Sequence, residues 1–331
     1  MRTRCALACS ALAVIVLCAT AGDRWSNHPA SDPLTAIPEP ATVASAAVER
    51  PSGHAAAEPV CNPQNLQASL RPQGLLPEPG QMPAGSTMAR IAERGHLIAG
   101  VDQDTHQFAF RNAMLRQEGF DMDIVRDIAE AIFGDRERVV FWPLDVTDRI
   151  RTVKSGRVDL LVATTTVTCR RREQVDFSAV YYVAGQRVLV NRGSTVTGLD
   201  DPQIGRVCAA RGSTSLGRIL AAPSKPIAVG VATSTDCLML LQMAEIDAIS
   251  TDDTLLASMA AQDPRTEIIG PRLTEEPYGI PISKDAPDLV RFVNAVLERR
   301  VQDGRWQASY DRWLMLLLGP PPSPPTPQYR D

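Results

Sequence analysis

The sequence predicts an α/β fold with two lobes, and three observations support this prediction. Strand and helix patterns alternate between residues 88 and 318, as in layered α/β structures with a largely parallel sheet. The alternation comes in two series, separated near residues 186–191. The chain has 331 residues, of which 44% are hydrophobic, which is enough for one large or two small domains.

Each element of the first series has a local signal. Gly95 ends a short helix over 88–94, because glycine readily adopts the left-handed conformation that stops a helix. Acidic residues at positions 121 and 123 begin an amphipathic helix over 124–133. The remaining predicted elements are strands over 97–101, 139–142 and 158–163 and a helix over 147–155.

The second series repeats the alternation and then returns to the first. Its predicted elements are strands over 207–210, 227–231, 248–250 and 265–269, helices over 215–221 and 236–243, and a long helical segment over 288–313. We therefore expect a first lobe over 88–186, a second lobe over 187–281 and a return to the first lobe over 282–318. A chain that crosses twice between lobes forms a hinge suited to closure around a ligand.

The chain ends do not have the pattern of a folded domain. Residues 1–21 are typical of a secretory signal peptide, since two arginines precede a short apolar run and a small-residue cleavage site. Lipid anchoring through Cys18 is an alternative to plain cleavage, and the sequence leaves both open. The Pro- and Ala-rich composition predicts a disordered linker over 22–87, and a flexible tail is expected over 319–331.

Cysteine usage also favours export from the cytoplasm. Outside the signal, the cysteines are Cys61, Cys169, Cys208 and Cys237, and an even number in an exported chain indicates disulfides. We favour a Cys208–Cys237 pair, because both residues fall in the second series, and this leaves Cys61 to pair with Cys169. Free buried cysteines are the alternative.

Charge and motif content exclude several classes of function. The formal net charge is −4 and no basic cluster suggests a nucleic-acid interface. No metal-ligand spacing is present, and no histidine stands beside a convincing nucleophile. The sequence therefore predicts a protein without metal or cofactor and without catalytic activity.

The stretch from Thr164 to Tyr182 carries the strongest functional signal. Clustered hydroxyl side chains follow a buried-looking strand, and Arg171 comes within one helical turn of them. Hydroxyl and backbone N–H groups at a strand-to-helix junction form an anion pocket. An arginine beside them can bind a carboxylate through two parallel hydrogen bonds. Its alternative role is that of a solvated arginine at the start of a helix.

Five short motifs occur in an order that resembles the amino-acid class, family 3, of bacterial extracellular solute-binding proteins. They are Gly119–Asp123, Thr166–Arg171, Gly212–Ser215, Asp247–Asp252 and the Asp303-Gly304-x-Trp306 element. The resemblance spans about residues 88–318 and is greatest to the actinobacterial and mycobacterial glutamine/glutamate-binding lipoproteins of that family. It implies the two-lobed periplasmic-binding-protein-like fold with two hinge crossovers.

The resemblance also implies how a zwitterionic amino acid would be bound. Its carboxylate would meet Arg171 and Thr166, together with the N–H groups around Ser213 and Thr214. Because Arg171 belongs to the first lobe and Asp252, which would meet the ammonium group, belongs to the second, the zwitterion would bridge the lobes.

Four further residues follow from the same resemblance. The ligand ammonium would meet Asp252 and the Thr164 carbonyl, although Asp252 could instead serve only as a helix N-cap. Asp102 would face the ligand side chain, and Arg149 would stand between Asp102 and an acidic ligand group. The expected ligands are glutamate, aspartate, asparagine and glutamine.

The resemblance implies a monomeric, non-catalytic protein that delivers its ligand to the permease subunits of an ABC importer. Two alternatives use the same fold. The first is an amino-acid sensor for a membrane signalling protein, and the second is a dehydratase-like enzyme.

Overall fold

The computed structural model describes residues 61–62 and 65–331. The predicted signal peptide, the candidate lipid site at Cys18 and the linker up to residue 60 lie outside the described residues. In the described part, no helix is long and apolar enough to cross a membrane.

Helices and strands alternate along the described chain. The first half contains α1 Thr87–Arg94, β1 Leu97–Val101, β2 Asp104–Thr105, β3 Ala109–Arg111, β4 Gln117–Glu118, α2 Phe120–Phe133, β5 Val139–Pro143, α3 Arg149–Lys154, β6 Leu160–Val162, α4 Cys169–Arg172, β7 Asp176–Phe177 and β8 Tyr182–Ala184. The second half contains β9 Gln186–Asn191, β10 Arg206–Ala210, α5 Thr214–Leu220, β11 Ile227–Val231, α6 Ser234–Gln242, β12 Ala248–Asp252, α7 Asp253–Gln262, β13 Thr266–Ile269, β14 Glu276–Tyr278, β15 Pro281–Ile282, α8 Pro287–Gln302, α9 Arg305–Trp313 and α10 Met315–Leu318.

Two five-stranded sheets within the described residues form the centres of two lobes, which confirms the predicted α/β class. The sheet of the first lobe has the order β5-β1-β6-β15-β7, and β1 runs parallel to both β5 and β6. The sheet of the second lobe has the order β11-β10-β12-β9-β13, and β10 runs parallel to β11 and β12. Below, "first lobe" means the elements up to β7 and from β15 onward, and "second lobe" means β9 to β13.

Two antiparallel strands connect the lobes. Strand β8 leads into the second lobe and β14 leads back to the first, and the two pair with each other in a register that places Tyr182 opposite Tyr278. Tyr278 is fully buried. This pair is the hinge with two crossovers that the sequence predicts.

The core of the first lobe is formed by α2, α8 and α9 against the sheet. Helix α2 can begin where it does because Gly119 has φ 129°, and a Cβ there would lie 2.2 Å from the Phe108 carbonyl oxygen. Phe108 and Phe120 are buried. Trp142 is 42% exposed, because β5 is the edge strand of the sheet.

The long helix expected over 288–313 is divided into two. Helix α8 ends at Gln302, and α9 begins at Arg305. Gly304 has φ 80°, a left-handed conformation that interrupts the helical backbone and lets α9 fold back onto α2.

The predicted linker is ordered from residue 65 onward, which corrects the expectation of disorder up to residue 87. Ser69 is buried, forms a β-bridge with Tyr329, and donates from its hydroxyl to the Phe177 carbonyl at 2.7 Å. The side chain of Asn294 donates to the Ser69 hydroxyl at 2.8 Å. Partly buried leucines, including Leu70, pack this segment against the core of the first lobe.

The predicted flexible tail is also fixed at its end. Arg330 forms an ion pair with Asp176 at 2.9 Å, and Asp331 pairs with Arg291 on α8. Both end segments have the proline-rich composition of disordered chains. The few residues that anchor them to the first lobe do not change that composition enough to be noticed in the sequence.

Within the described residues there are two disulfides, Cys61–Cys169 and Cys208–Cys237. This is the pairing that the sequence favours. The first ties the N-terminal segment to the start of α4, and the second joins β10 to α6 within the second lobe.

Candidate functional site

A cavity of about 140 Å³ lies between the two lobes. On each side it is lined by residues that follow the carboxyl ends of parallel strands: β1, β5 and β6 in the first lobe, and β10, β11 and β12 in the second. Ligands of open α/β sheets bind at this edge, because the loops there converge and the backbone is free of sheet pairing. The volume is below the roughly 300–1,000 Å³ typical of drug-sized ligands and suits a small solute.

All eight residues that the sequence predicts as ligand contacts line this cavity. They are Asp102, Arg149, Thr164, Thr166, Arg171, Ser213, Thr214 and Asp252. Residues from the two lobes that are far apart in sequence are therefore brought to one place. Their contacts with a ligand stay predictions.

The lobes touch each other around the cavity. Thr235 of the second lobe donates from its hydroxyl to the Asp104 carbonyl of the first at 3.2 Å. Gly212 lies so close to Thr147 that an added Cβ would be 3.2 Å from the Thr147 methyl group. Gly212 also has φ 78°, so glycine is required there for both space and conformation.

Arg171 presents its charge from a short, capped helix. The Thr168 hydroxyl accepts a hydrogen bond from the Arg171 backbone N–H at 3.3 Å and so caps α4. The guanidinium donates from Nη1 to the Thr166 carbonyl at 2.7 Å, which fixes the side chain at the cavity wall. A guanidinium has the planar geometry to bind a carboxylate through parallel hydrogen bonds.

Thr164, another residue of the cavity wall, is held in a strained backbone conformation. Its φ is 42°, which is rare for a β-branched residue. The Asp121 carboxylate accepts from the Thr164 N–H at 2.9 Å and from the Tyr181 hydroxyl at 3.0 Å. Burial raises the pKa of Asp121 to about 7, although both donors act in the opposite direction. The sequence indicated only a helix-start acid at position 121 and missed this contact.

Asp252 presents an unsatisfied acceptor from the second lobe. It is the N-cap residue of α7 but makes no side-chain capping bond, so the N-cap alternative does not describe its contacts. The Tyr278 hydroxyl donates to Oδ2, whereas Oδ1 is buried and has no hydrogen-bond partner among the described residues. Burial and the nearby Glu276 carboxylate raise the pKa of Asp252 to about 8, while Tyr278 and Arg171 act in the opposite direction.

Arg149 and Asp102 form an ion pair of 2.6 Å on the first-lobe wall of the cavity, opposite Asp252. Arg149 also donates to the Ala163 carbonyl at 2.9 Å. Burial alone would raise the pKa of Asp102, but the Arg149 guanidinium and several donors outweigh it and hold the pKa below its usual value. The charge of Arg149 is therefore paired with that of Asp102, and the expected contact of Arg149 with an acidic ligand group stays a prediction.

Asp104 is a cavity residue that the sequence analysis missed. Burial and the neighbouring Asp102 raise the pKa of Asp104 to about 8. An Asp-x-Asp pattern at the end of β1 was the available signal, because alternate residues of an extended segment point to the same side.

Ser213 has a different role from the one predicted for it. Its N–H donates to the Ala210 carbonyl at 3.2 Å, and its hydroxyl donates to the same carbonyl at 2.7 Å. The hydroxyl also accepts from the Leu216 N–H at 3.1 Å and caps α5. Ser213 therefore shapes the loop, and Thr214 is the residue of this pair with a hydroxyl that is not used in capping.

The sequence model of a protein family, the bacterial extracellular solute-binding proteins, family 3, matches residues 97–315 of this chain. The ABC transporter glutamine-binding protein GlnH of Bacillus subtilis is 32% identical over 251 residues, which cover 75% of this chain and 92% of that protein. The glutamate-binding protein GluB of Corynebacterium efficiens is 29% identical over 259 residues, which cover 72% and 84% of the two chains.

Solved structures show the same architecture. The solute receptor for L-cysteine of Neisseria gonorrhoeae has a TM-score of 0.67 and 27% identity, and the match covers 71% of this chain and 96% of that one. An ancestral arginine-binding protein bound to glutamine has a TM-score of 0.62 and 29% identity, with coverage of 67% and 98%. The relatives are solute-binding proteins, which confirms the prediction of a non-catalytic protein.

Proposed function

Because the chain belongs to the bacterial extracellular solute-binding proteins, family 3, we propose that it captures a polar amino acid outside the cytoplasm and delivers it to an ABC importer. Its cavity lies between two lobes that meet at a two-stranded hinge, so opening and closing of the lobes would admit and retain the ligand.

One observation carries this proposal: a guanidinium and a carboxyl group line opposite walls of the same cavity. Arg171 of the first lobe can bind a carboxylate, and the unpaired Oδ1 of Asp252 in the second lobe can accept from an ammonium group. An α-amino acid carries both groups on one carbon atom. Binding would connect the lobes and add electrostatic stabilisation to the closed state.

Within this class, the charge balance favours carboxamide side chains over carboxylates. Asp102 and Arg149 neutralise each other, and Asp104 adds a further acid to the same wall. A ligand amide can both donate to and accept from this mixed wall, whereas a ligand carboxylate would find the Arg149 guanidinium already paired with Asp102. We therefore place glutamine and asparagine ahead of glutamate and aspartate, and one relative is named as a glutamine-binding protein.

A thermal-shift screen of the mature chain against the twenty amino acids tests the proposal. A ligand present at about 100 times its Kd should add about 2.7 kcal/mol to the free energy of unfolding. We expect the largest increase in Tm with L-glutamine, a smaller one with L-glutamate, and none with D-glutamine as the control. No shift with any amino acid would contradict the function, and a larger shift with glutamate would contradict the amide preference.

A further inference from the structure

Glu276 is a buried acid in the hinge strand β14 that binds hydroxyl groups of both lobes. Its Oε2 atom accepts from the Thr166 hydroxyl of the first lobe at 2.7 Å and from the Thr214 hydroxyl of the second lobe at 3.0 Å. Its Oε1 atom accepts from the Thr274 hydroxyl at 2.6 Å. The residue is only 3% exposed. One carboxylate oxygen therefore joins residues that line opposite sides of the cavity.

These contacts determine how the two cavity hydroxyls can act. A threonine hydroxyl has one proton and two lone pairs, and an ionised carboxylate can only accept. Since Thr166 and Thr214 both give their protons to Glu276, only their lone pairs remain for a molecule in the cavity. They are then acceptors for an ammonium group rather than donors to a carboxylate. This reverses the role in which the sequence placed the Thr166 hydroxyl.

The same strand also holds the acid of the second lobe. Glu276 and Tyr278 are two residues apart in β14, so their side chains extend from the same face. The Tyr278 hydroxyl donates to Asp252 Oδ2, and Oδ1 is left without a partner among the described residues. The hinge strand thus orients the acceptors at this end of the cavity: Thr166, Thr214 and Asp252.

We propose that Glu276 is a positioning residue that gives the cavity its selectivity for a ligand with a free α-ammonium group. It does so by turning one hydroxyl from each lobe into an acceptor. The proposal rests on the proposed amino-acid function and adds the residue, outside the cavity lining, that sets the polarity of the cavity. Because the Thr214 contact joins the second lobe to the hinge, the same residue links ligand recognition to closure.

A Glu276→Gln variant separates this role from a packing role. Glutamine has the same shape, but its amide nitrogen donates where a carboxylate oxygen accepts. At least one of the three hydroxyls must then rotate to accept from the amide, and its proton becomes available to the cavity or to solvent. Glu275→Gln is the matched control, because it removes the same charge from the adjacent, exposed position.

The experiment titrates the mature chain with L-glutamine and with glutaramic acid, which is glutamine without its α-amino group. The wild type should prefer glutamine strongly. Glu276→Gln should weaken glutamine binding at least tenfold and leave glutaramic acid unchanged or bound more tightly, so that the ratio of the two Kd values falls at least tenfold. Glu275→Gln should keep the wild-type ratio.

Two results would contradict the proposal in distinguishable ways. If the wild type binds glutamine but Glu276→Gln weakens both ligands equally, or neither, then Glu276 has a structural role only. If the wild type binds neither glutamine nor any other α-amino acid, the proposed function fails and the role of Glu276 fails with it. Circular dichroism of each variant at the titration temperature establishes that the compared proteins are folded.

Discussion

The two lobes are built and anchored differently. The first is assembled from separate parts of the chain, including residues 65–87 and the C-terminal tail, and the Cys61–Cys169 disulfide ties it at α4. The second is one continuous stretch from β9 to β13, with its own Cys208–Cys237 disulfide. The first lobe is therefore stabilised by contacts with both end segments of the chain. The second is a continuous unit that is joined to it through the two hinge strands.

Their charges at the cavity differ in kind as well. The first lobe contributes Arg171, whose guanidinium is charged at every pH that a protein tolerates. The second contributes Asp252, whose pKa is raised to about 8 by burial and by Glu276, so that it is largely protonated at neutral pH before a ligand enters. The first lobe therefore supplies a constant charge, whereas the second lobe supplies one that the ligand itself must induce.

The largest expected loss of ligand affinity comes from a substitution in the first lobe. Arg171→Ala should weaken binding of L-glutamine by about 2–5 kcal/mol, the usual cost of removing one partner of a buried charge pair. Isothermal titration calorimetry at pH 8 measures this loss, with Arg170→Ala on the same helix but outside the cavity lining as the control. Equal affinities of the wild type and Arg171→Ala would show that the first lobe does not hold the ligand carboxylate.

The next largest expected effect is a dependence of ligand affinity on pH, which arises from Asp252 in the second lobe. Asp252 faces Glu276, Asp253 and Tyr278, and Arg171 lies on the far wall. An ammonium group favours the ionised carboxylate, so binding below pH 8 should release a proton from Asp252. Affinity should then rise with pH between 6 and 8, by up to about tenfold per unit.

Calorimetry in two buffers with different ionisation enthalpies measures this proton release at pH 7. Asp252→Asn is the informative variant, because Asp104 and Asp121 also have pKa values raised to about 8 and 7. If the release persists unchanged in Asp252→Asn, another group titrates, and the contrast between a constant and an induced charge is wrong.

Much of the fold and of the cavity could be predicted because their signals are local. Strand and helix periodicity gave the two series, and each cavity residue predicted from the sequence stands at the end of a strand or in a short motif next to one. Arg171 and Thr166, for example, are separated by a single turn of chain, so their proximity follows from the motif alone.

The features that were missed depend on contacts between distant parts of the chain. Glu276 is 110 residues from Thr166 and 62 from Thr214, and no periodic pattern connects them. The β-bridge between Ser69 and Tyr329 joins segments whose composition resembles disorder. In both cases the feature depends on contacts of one or two side chains, and the partners in those contacts can be identified only in the folded chain.

A crystal structure of the protein with bound L-glutamine tests the central claim most directly. We expect the ligand between the lobes, with its carboxylate about 2.7–2.9 Å from the Arg171 guanidinium and its ammonium at a similar distance from Asp252 Oδ1. A ligand bound to one lobe only, or with its carboxylate toward Asp252, would contradict the assignment of the two charges to the two lobes.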